Sequence, residues 1–118
     1  MEGHFARHVR RCDLQVPIQI DGPGDPHLAL TENIGIGGLF VATSSPERVG
    51  DRITLTFRLP NDRSPILVDG EVRWVRTWPL PQIRHGARGM GIRFNGLSLS
   101  TVATIQEFVR RSGPPGDR

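Results

Sequence analysis

The sequence predicts a mainly β domain: a small antiparallel barrel closed off by one C-terminal α-helix. Three observations carry this expectation. Short stretches of apolar–polar alternation, each bounded by Gly, Pro, Asn or Asp, recur along most of the chain, which is the period of strands with one buried face. One stretch, close to the C-terminus, changes to three- and four-residue spacing, the period of a helix. A length of 118 residues suits one buried core and leaves little room for a second.

The elements follow in order. Leu14, Val16, Ile18 and Ile20 alternate with Gln15, Pro17 and Gln19, and Pro17, which has no N–H, places this strand at an edge or limits its pairing to one side there. The cluster Asp21-Gly22-Pro23-Gly24-Asp25-Pro26 is a turn. His27 to Thr31 reads as a second strand, a glycine-rich turn follows, and Leu39 to Ala42 reads as a third. After the break at Ser44-Ser45-Pro46-Glu47, Val49-Gly50-Asp51 leads into a strand in which Ile53, Leu55, Phe57 and Leu59 face one side. A hairpin loop from Pro60 to Pro65 returns the chain through Ile66, Val68, Gly70, Val72 and Trp74. A long loop from Thr77 to Arg88 carries Trp78, and Met90, Ile92 and Phe94 mark the last strand. Ser98-Leu99-Ser100-Thr101 offers helix N-caps, and Leu99, Val102, Ile105, Phe108 and Val109 form the apolar stripe of a helix of about three turns. Gly113-Pro114-Pro115-Gly116 ends it.

Composition excludes several classes. The chain is 36% hydrophobic and 23% charged, and no apolar run approaches the roughly 20 residues of a membrane helix. His4, Arg7, His8, Arg10 and Arg11 interrupt the beginning of the chain, so no signal-peptide pattern is present. A lone Cys12 has no disulfide partner, and a reducing cytoplasm is the expected setting. All fifteen basic residues other than histidine are arginine. Arginine is the better ligand for phosphates and bases, but arginine in place of lysine also arises in a GC-rich genome, and the latter accounts for most of them. The net charge is only +3, with twelve carboxylates interspersed, which is not the basic stripe of a duplex-DNA binder. Charge is nonetheless polarised: residues 7–11 and 73–93 are basic and 13–32 lean acidic.

The most informative stretch is Thr31-Glu32-Asn33-Ile34-Gly35-Ile36-Gly37-Gly38-Leu39-Phe40-Val41, with Arg7 and Arg11 upstream, four residues apart. Glycine lets a backbone turn sharply or come close to a ligand. An asparagine amide donates and accepts at once, as a base edge requires. Guanidinium groups bind phosphate and stack on bases. Together they point to an anionic ligand containing a base. A solvated tail and a purely structural turn are the competing readings; Gly37 and Gly38 serve the turn under either, and Asn33 discriminates better. No paired carboxylates and no nucleophile–base arrangement support an enzyme. His4, His8, His27 and His85 have no metal spacing.

These residues resemble the PilZ domain, the six-stranded barrel family of bacterial receptors for cyclic di-GMP. Arg7-His8-Val9-Arg10-Arg11 matches the family's R-x-x-x-R arm, and Asn33-Ile34-Gly35-Ile36-Gly37-Gly38 matches its [D/N]-x-S-x-x-G pattern at Asn33 and Gly38, with Gly35 where the serine stands. Gly37-Gly38-Leu39-Phe40-Val41, Gly50, Val72-Arg73-Trp74 and Gly89-Met90-Gly91-Ile92-Arg93-Phe94 also look like the family, over roughly residues 5–111.

The resemblance implies a six-stranded antiparallel PilZ-type β-barrel with a C-terminal α-helix. It divides the chain into a basic arm (1–13), a barrel with its terminal helix (14–111) and a disordered tail (112–118). It implies that Arg7 and Arg11, with help from Arg10, clamp the phosphates and stack on the guanines of cyclic di-GMP. Asn33 reads a guanine edge, Gly38 admits the backbone, and Gly35 lacks the usual hydroxyl. Losing one such hydrogen bond costs on the order of 0.5–1.5 kcal/mol, up to roughly tenfold in affinity, so Gly35→Ser is expected to tighten binding.

The expected function is a non-enzymatic, stand-alone signalling protein without a cofactor that binds cyclic di-GMP and passes the signal to an unidentified protein partner. The alternative is a ligand-independent adaptor acting by protein contacts in motility or pilus regulation. Trp74 is expected in the core or on a half-buried face, and Trp78 exposed as a partner contact. Single-stranded nucleic-acid binding by a basic barrel is disfavoured by an aromatic content of 6% with no tyrosine. Neither a membrane nor duplex DNA is an expected partner.

Overall fold

The computed structural model describes residues 10–78 and 88–112. Seven strands and one helix succeed one another along the chain: β1 (Arg11–Asp13), β2 (Pro17–Asp21), β3 (His27–Gly35), β4 (Gly38–Ala42), β5 (Arg52–Phe57), β6 (Ile66–Arg76), β7 (Gly89–Asn95) and α1 (Leu99–Ser112). All pairings are antiparallel, in the order β1-β3-β2-β5-β6-β7-β4, and β4 pairs back to β3. Six strands, β2 to β7, thus close a barrel, as the sequence leads one to expect, and closure removes the exposed edges of an open sheet.

β1 does not add a seventh stave. β3 is long enough to serve two partners: its first half pairs with β2 from Leu30 to His27, and its second half pairs with β1 from Gly35 to Asn33. Residues 14–16 join the two along the same edge. The Leu14 N–H donates to the Glu32 carbonyl at 3.1 Å, and the Thr31 N–H donates to the Val16 carbonyl at 3.0 Å. The buried Thr31 hydroxyl donates to the Leu14 carbonyl at 2.6 Å and accepts from the Val16 N–H at 2.9 Å. These are the bonds that a regular ladder would otherwise supply. Pro17 pairs with β3, while pairing to β5 begins only at Ile18, which is the one-sided arrangement a missing N–H dictates.

The alternating residues meet inside the barrel. Ile18, Ile20, Ile34, Leu39, Val41, Leu55, Val72 and Met90 are all buried in one cluster. α1 covers one end of the barrel, packing on β1 and β3 through buried Ile105 and Val109. Its first turn is capped by Ser98, whose Oγ accepts from the Thr101 N–H at 3.1 Å. Arg110 and Arg111 lie in the last turn, where their charge suits the carbonyl end of the helix, and both pair with Glu107.

The structure corrects the reading of the sequence in three places. The helix has 14 residues, nearly four turns, and Leu99, at its start, is 88% exposed rather than part of the packed stripe. The glycine-rich segment is mostly strand: β3 continues through Asn33 and Gly35, and only Ile36-Gly37 turns the chain into β4. Residues 11–13, assigned to the arm by sequence, are β1. Of the two places expected for Trp74, the structure shows the half-buried face: it lies outside the core, 47% exposed, because the register slips between Val72 and Trp74. One inserted residue moves the residues beyond it to the opposite face of a pleated sheet. A second slip, between Thr31 and Asn33, puts Asn33 outside as well. Trp78 is 75% exposed, as expected. Residues 79–87 of the long loop, residues 1–9 of the arm including Arg7, and residues 113–118 of the tail lie outside the described residues. No described helix is long and apolar enough to cross a membrane.

Candidate functional site

A cavity of about 400 Å³ opens on the outer wall of the barrel, where β1, β3, β4, β6 and β7 meet. Its floor is aromatic. Phe40 points outward from β4, opposite Gly91 of β7, and Gly91 in turn faces Trp74 across the slipped register of β6. The Trp74 ring lies flat over Gly91: a Cβ there would stand 2.1 Å from Trp74 Nε1 and 2.4 Å from Cε2. Gly89, two residues earlier on the same face, clears space for Phe40 in the same way, since its Cβ would stand 2.8 Å from Phe40 Cζ. The glycines at alternate positions of β7 therefore make a trough into which two rings settle.

Phe40 and Trp74 stack with centroids 4.9 Å apart and planes 26° apart. The Arg76 guanidinium lies 4.3 Å from the Phe40 centroid and 5.6 Å from that of Trp74. Such cation–ring contacts are attractive through the quadrupole of the ring. Covered by Trp74 and Arg76, Phe40 is 2% exposed although it stands outside the core cluster. Arg76 is held by the buried carboxylate of Glu32 at 3.7 Å.

The rims are cationic. On one side Arg11 of β1 directs its fork at Asn33 of β3, with Nε 3.0 Å and Nη2 2.5 Å from Asn33 Oδ1. The guanidinium thus fixes which face of the amide turns outward, leaving the Asn33 NH2 as a donor. Burial pulls the Arg11 pKa below its usual value, because removing a cation from water opposes its charge. On the other rim Glu71 bridges Arg73 at 3.4 Å and Arg93 at 3.2 Å. Four guanidinium groups (Arg11, Arg73, Arg76 and Arg93) stand against the two carboxylates of Glu32 and Glu71, a surplus of two positive charges around a half-exposed indole. The chemistry suits a planar, aromatic, anionic ligand.

The residues singled out from the sequence fall into three groups. Arg11, Asn33 and Gly38 line the cavity together. Gly38 has a structural duty there: a Cβ would stand 2.0 Å from the Ile92 carbonyl oxygen, so β4 and β7 could not pair as they do. Arg10 is exposed, and neither it nor Gly35 lines the cavity. Gly35 instead lies beneath the backbone of β1. Arg7 falls outside the described residues. Sequence reasoning missed Phe40, Trp74, Arg73, Arg76 and Arg93 as site residues. A signal was present: the paired glycines Gly89 and Gly91 on one face, and Arg-Trp-Val-Arg breaking the alternation at residues 73–76. No group of three or more His, Cys, Asp or Glu among the described residues could hold a metal ion.

The PilZ domain family model matches residues 5–111. The chain belongs to the PilZ domain family. Among solved structures, this PilZ domain is similar to the inhibitor of motility MotI of Bacillus subtilis, with a TM-score of 0.71 and 22% identity over 89% of this chain and 50% of that one. It thus spans about half the length of the Bacillus protein. The PilZ domain of YcgR from Escherichia coli, solved with cyclic di-GMP, matches with a TM-score of 0.70 and 10% identity over 90% of both chains. PlzA of Borreliella burgdorferi, also solved in complex with cyclic di-GMP, matches with a TM-score of 0.60 and 15% identity over 92% of this chain and 44% of that one. At such identities these likenesses establish the fold: a mainly β, six-stranded antiparallel barrel with a C-terminal helix. No curated protein matches the sequence.

Proposed function

We propose that this PilZ domain is a receptor for cyclic di-GMP that hands the signal to a partner protein. The observation that carries the reading is the union, in one cavity, of the Arg11–Asn33 pair, an exposed indole and a surplus of positive charge. Two structural neighbours, YcgR and PlzA, were solved with that ligand. Each chemical part of the ligand has a counterpart. The Asn33 amide meets a guanine edge with its NH2 group. Trp74 offers a face on which a base stacks, an interaction worth about 1–3 kcal/mol per base. Arg11 bonds Asn33 through only two of the five N–H groups of a guanidinium and so keeps donors for a phosphate. Arg7 and Arg10 contribute further charge from the arm, and Gly38 lets the ligand approach the β4 backbone. A cavity of about 400 Å³ lies within the 300–1,000 Å³ usual for small-molecule sites.

Two features lower the affinity. Position 35 has no hydroxyl to offer, and Asn33 Oδ1 is already taken by Arg11, so the amide meets a base edge as a donor only. The adaptor reading, in which the barrel acts through protein contacts without a ligand, rests on these same two features. Calorimetric titration of the purified chain with cyclic di-GMP separates the readings. Saturable heat that Arg11→Ala and Trp74→Ala each reduce by tenfold or more in affinity, about 1.4 kcal/mol, is the expected result. Absence of heat at high-micromolar ligand refutes the receptor reading and leaves the adaptor.

A further inference from the structure

We propose that Gly35 is the positioning residue that docks the end of the basic arm on the barrel before any ligand arrives. The absence of a Cβ at this position is what admits β1 to the sheet. Three observations converge on this. An ideal Cβ at Gly35 would stand 2.7 Å from the Arg10 carbonyl oxygen, a backbone atom that cannot swing aside as a flexible side chain would. The same Cβ would stand 3.1 Å from Arg11 Cγ and 3.6 Å from its Nη1, because the Arg11 side chain runs directly across Gly35 on its way to Asn33. β1 is also an integral layer, with Arg11 opposite Gly35, Cys12 opposite Ile34 and Asp13 opposite Asn33. Cys12 is 1% exposed within the core cluster, and β1 packs beneath α1.

Nothing in the conformation of residue 35 itself demands glycine. It lies within β3, and its φ is not positive. The demand comes from the neighbouring strand. A side chain at 35 pushes the Arg10–Arg11 backbone outward and lifts the Arg11 fork off the Asn33 amide. The expected benefit of Gly35→Ser therefore reverses: the hydroxyl arrives only by displacing the arm. In this chain the arm is positioned in advance, and ligand binding at Arg11 does not carry the cost of ordering residues 11–13.

Cys12, the single cysteine of the chain, reports directly on this docking. The experiment measures the rate of maleimide labelling at neutral pH, without ligand, in the full chain and in Gly35→Ala, Gly35→Ser and Gly37→Ala. Gly35→Ala isolates the Cβ from the hydroxyl. Gly37→Ala is the control, since a Cβ there meets nothing within 4 Å. The expected result is slow labelling in the native chain and in Gly37→Ala, and labelling about tenfold faster or more in both Gly35 variants, as overpacking raises the population of the open arm. Amide exchange at Leu55 and Val68, in the far wall of the barrel, separates arm release from global unfolding and is expected to stay unchanged. If both Gly35 variants label as slowly as the native chain, or if the native chain labels like an exposed thiol, the proposal fails. No ligand enters the assay, so its outcome is independent of the receptor reading.

Discussion

Replacing Gly91 by alanine tests the construction of the cavity floor. In an ordinary strand this change is mildly favourable, because glycine has the larger conformational entropy to lose. Here the new methyl would occupy the space of the indole, 2.1 Å from Nε1 and 2.4 Å from Cε2. The backbones of β6 and β7 are paired along their length, so Trp74, already half exposed, is the group that moves. Its departure forfeits the stack with Phe40, worth about 0.5–1.5 kcal/mol. It also uncovers part of a nearly buried phenyl ring; exposing about a third of a side chain whose full burial is worth about 1.5–3 kcal/mol adds about 0.5–1 kcal/mol. The sum, about 1–2.5 kcal/mol, lowers the melting temperature by about 5–15 °C in a domain of this size. The assay combines thermal unfolding monitored by circular dichroism with fluorescence in a Trp78→Phe background, where Trp74 is the sole tryptophan. Its emission is expected to shift to the red as the ring enters water. In a Trp74→Ala background the same glycine change is expected to cost little, since the two residues then no longer compete for space. A variant that melts within about 2 °C of the parent, well under 1 kcal/mol, with an unshifted spectrum refutes the trough.

Thr31→Val keeps the shape and removes the hydroxyl, leaving the Leu14 carbonyl and Val16 N–H without the partner they have now. At about 1–3 kcal/mol for each buried group left unsatisfied, a loss of about 2–4 kcal/mol in urea unfolding is expected, and a loss below about 1 kcal/mol contradicts the role given to Thr31. Ser98→Ala removes the cap of α1 and is expected to cost about 1 kcal/mol, whereas Ser98→Asp retains most of the stability; equal losses in both show that the cap is immaterial. Burial pushes the Cys12 thiol above its ordinary value, so the folded chain holds the proton to higher pH than the unfolded chain does. Below about pH 8.5 both states are protonated and that contribution is fully present; as pH rises beyond it the unfolded state alone loses the proton, and stability declines. A urea midpoint that falls between pH 7 and pH 10 in the parent and falls less in Cys12→Ala is the expected outcome, and identical declines in the two refute it.

The barrel was readable where one side of a strand is wet and the other dry. Ile53, Leu55 and Phe57 announce β5 because each alternate residue must enter the core, and Leu14, Ile18 and Ile20 do the same for the first wall. The site was less readable. Arg11, Asn33 and Gly38, singled out from their motifs, line one cavity. Gly35 and Gly37, which as residue types signal a turn, proved to be a strand position and a turn position respectively. Phe40 and Trp74 carry no local mark that they belong outside the core. The placement of Trp74 depends on a slip of register in β6 and that of Asn33 on one in β3, and the stability of a slip is decided by partners far along the chain.

What the sequence determined alone is what depends on neighbours a few residues away: strand faces through period two, the helix through its apolar stripe and its Ser98 cap, the hairpins through their turn residues. It also marked the family, through short motifs in a characteristic order. Only the tertiary structure decided which residues share the cavity, that Trp74 rests on Gly91, and that Gly35 lies under the backbone of Arg10. These are close approaches between segments distant in sequence, and a missing Cβ acquires its meaning from the atom that takes its space.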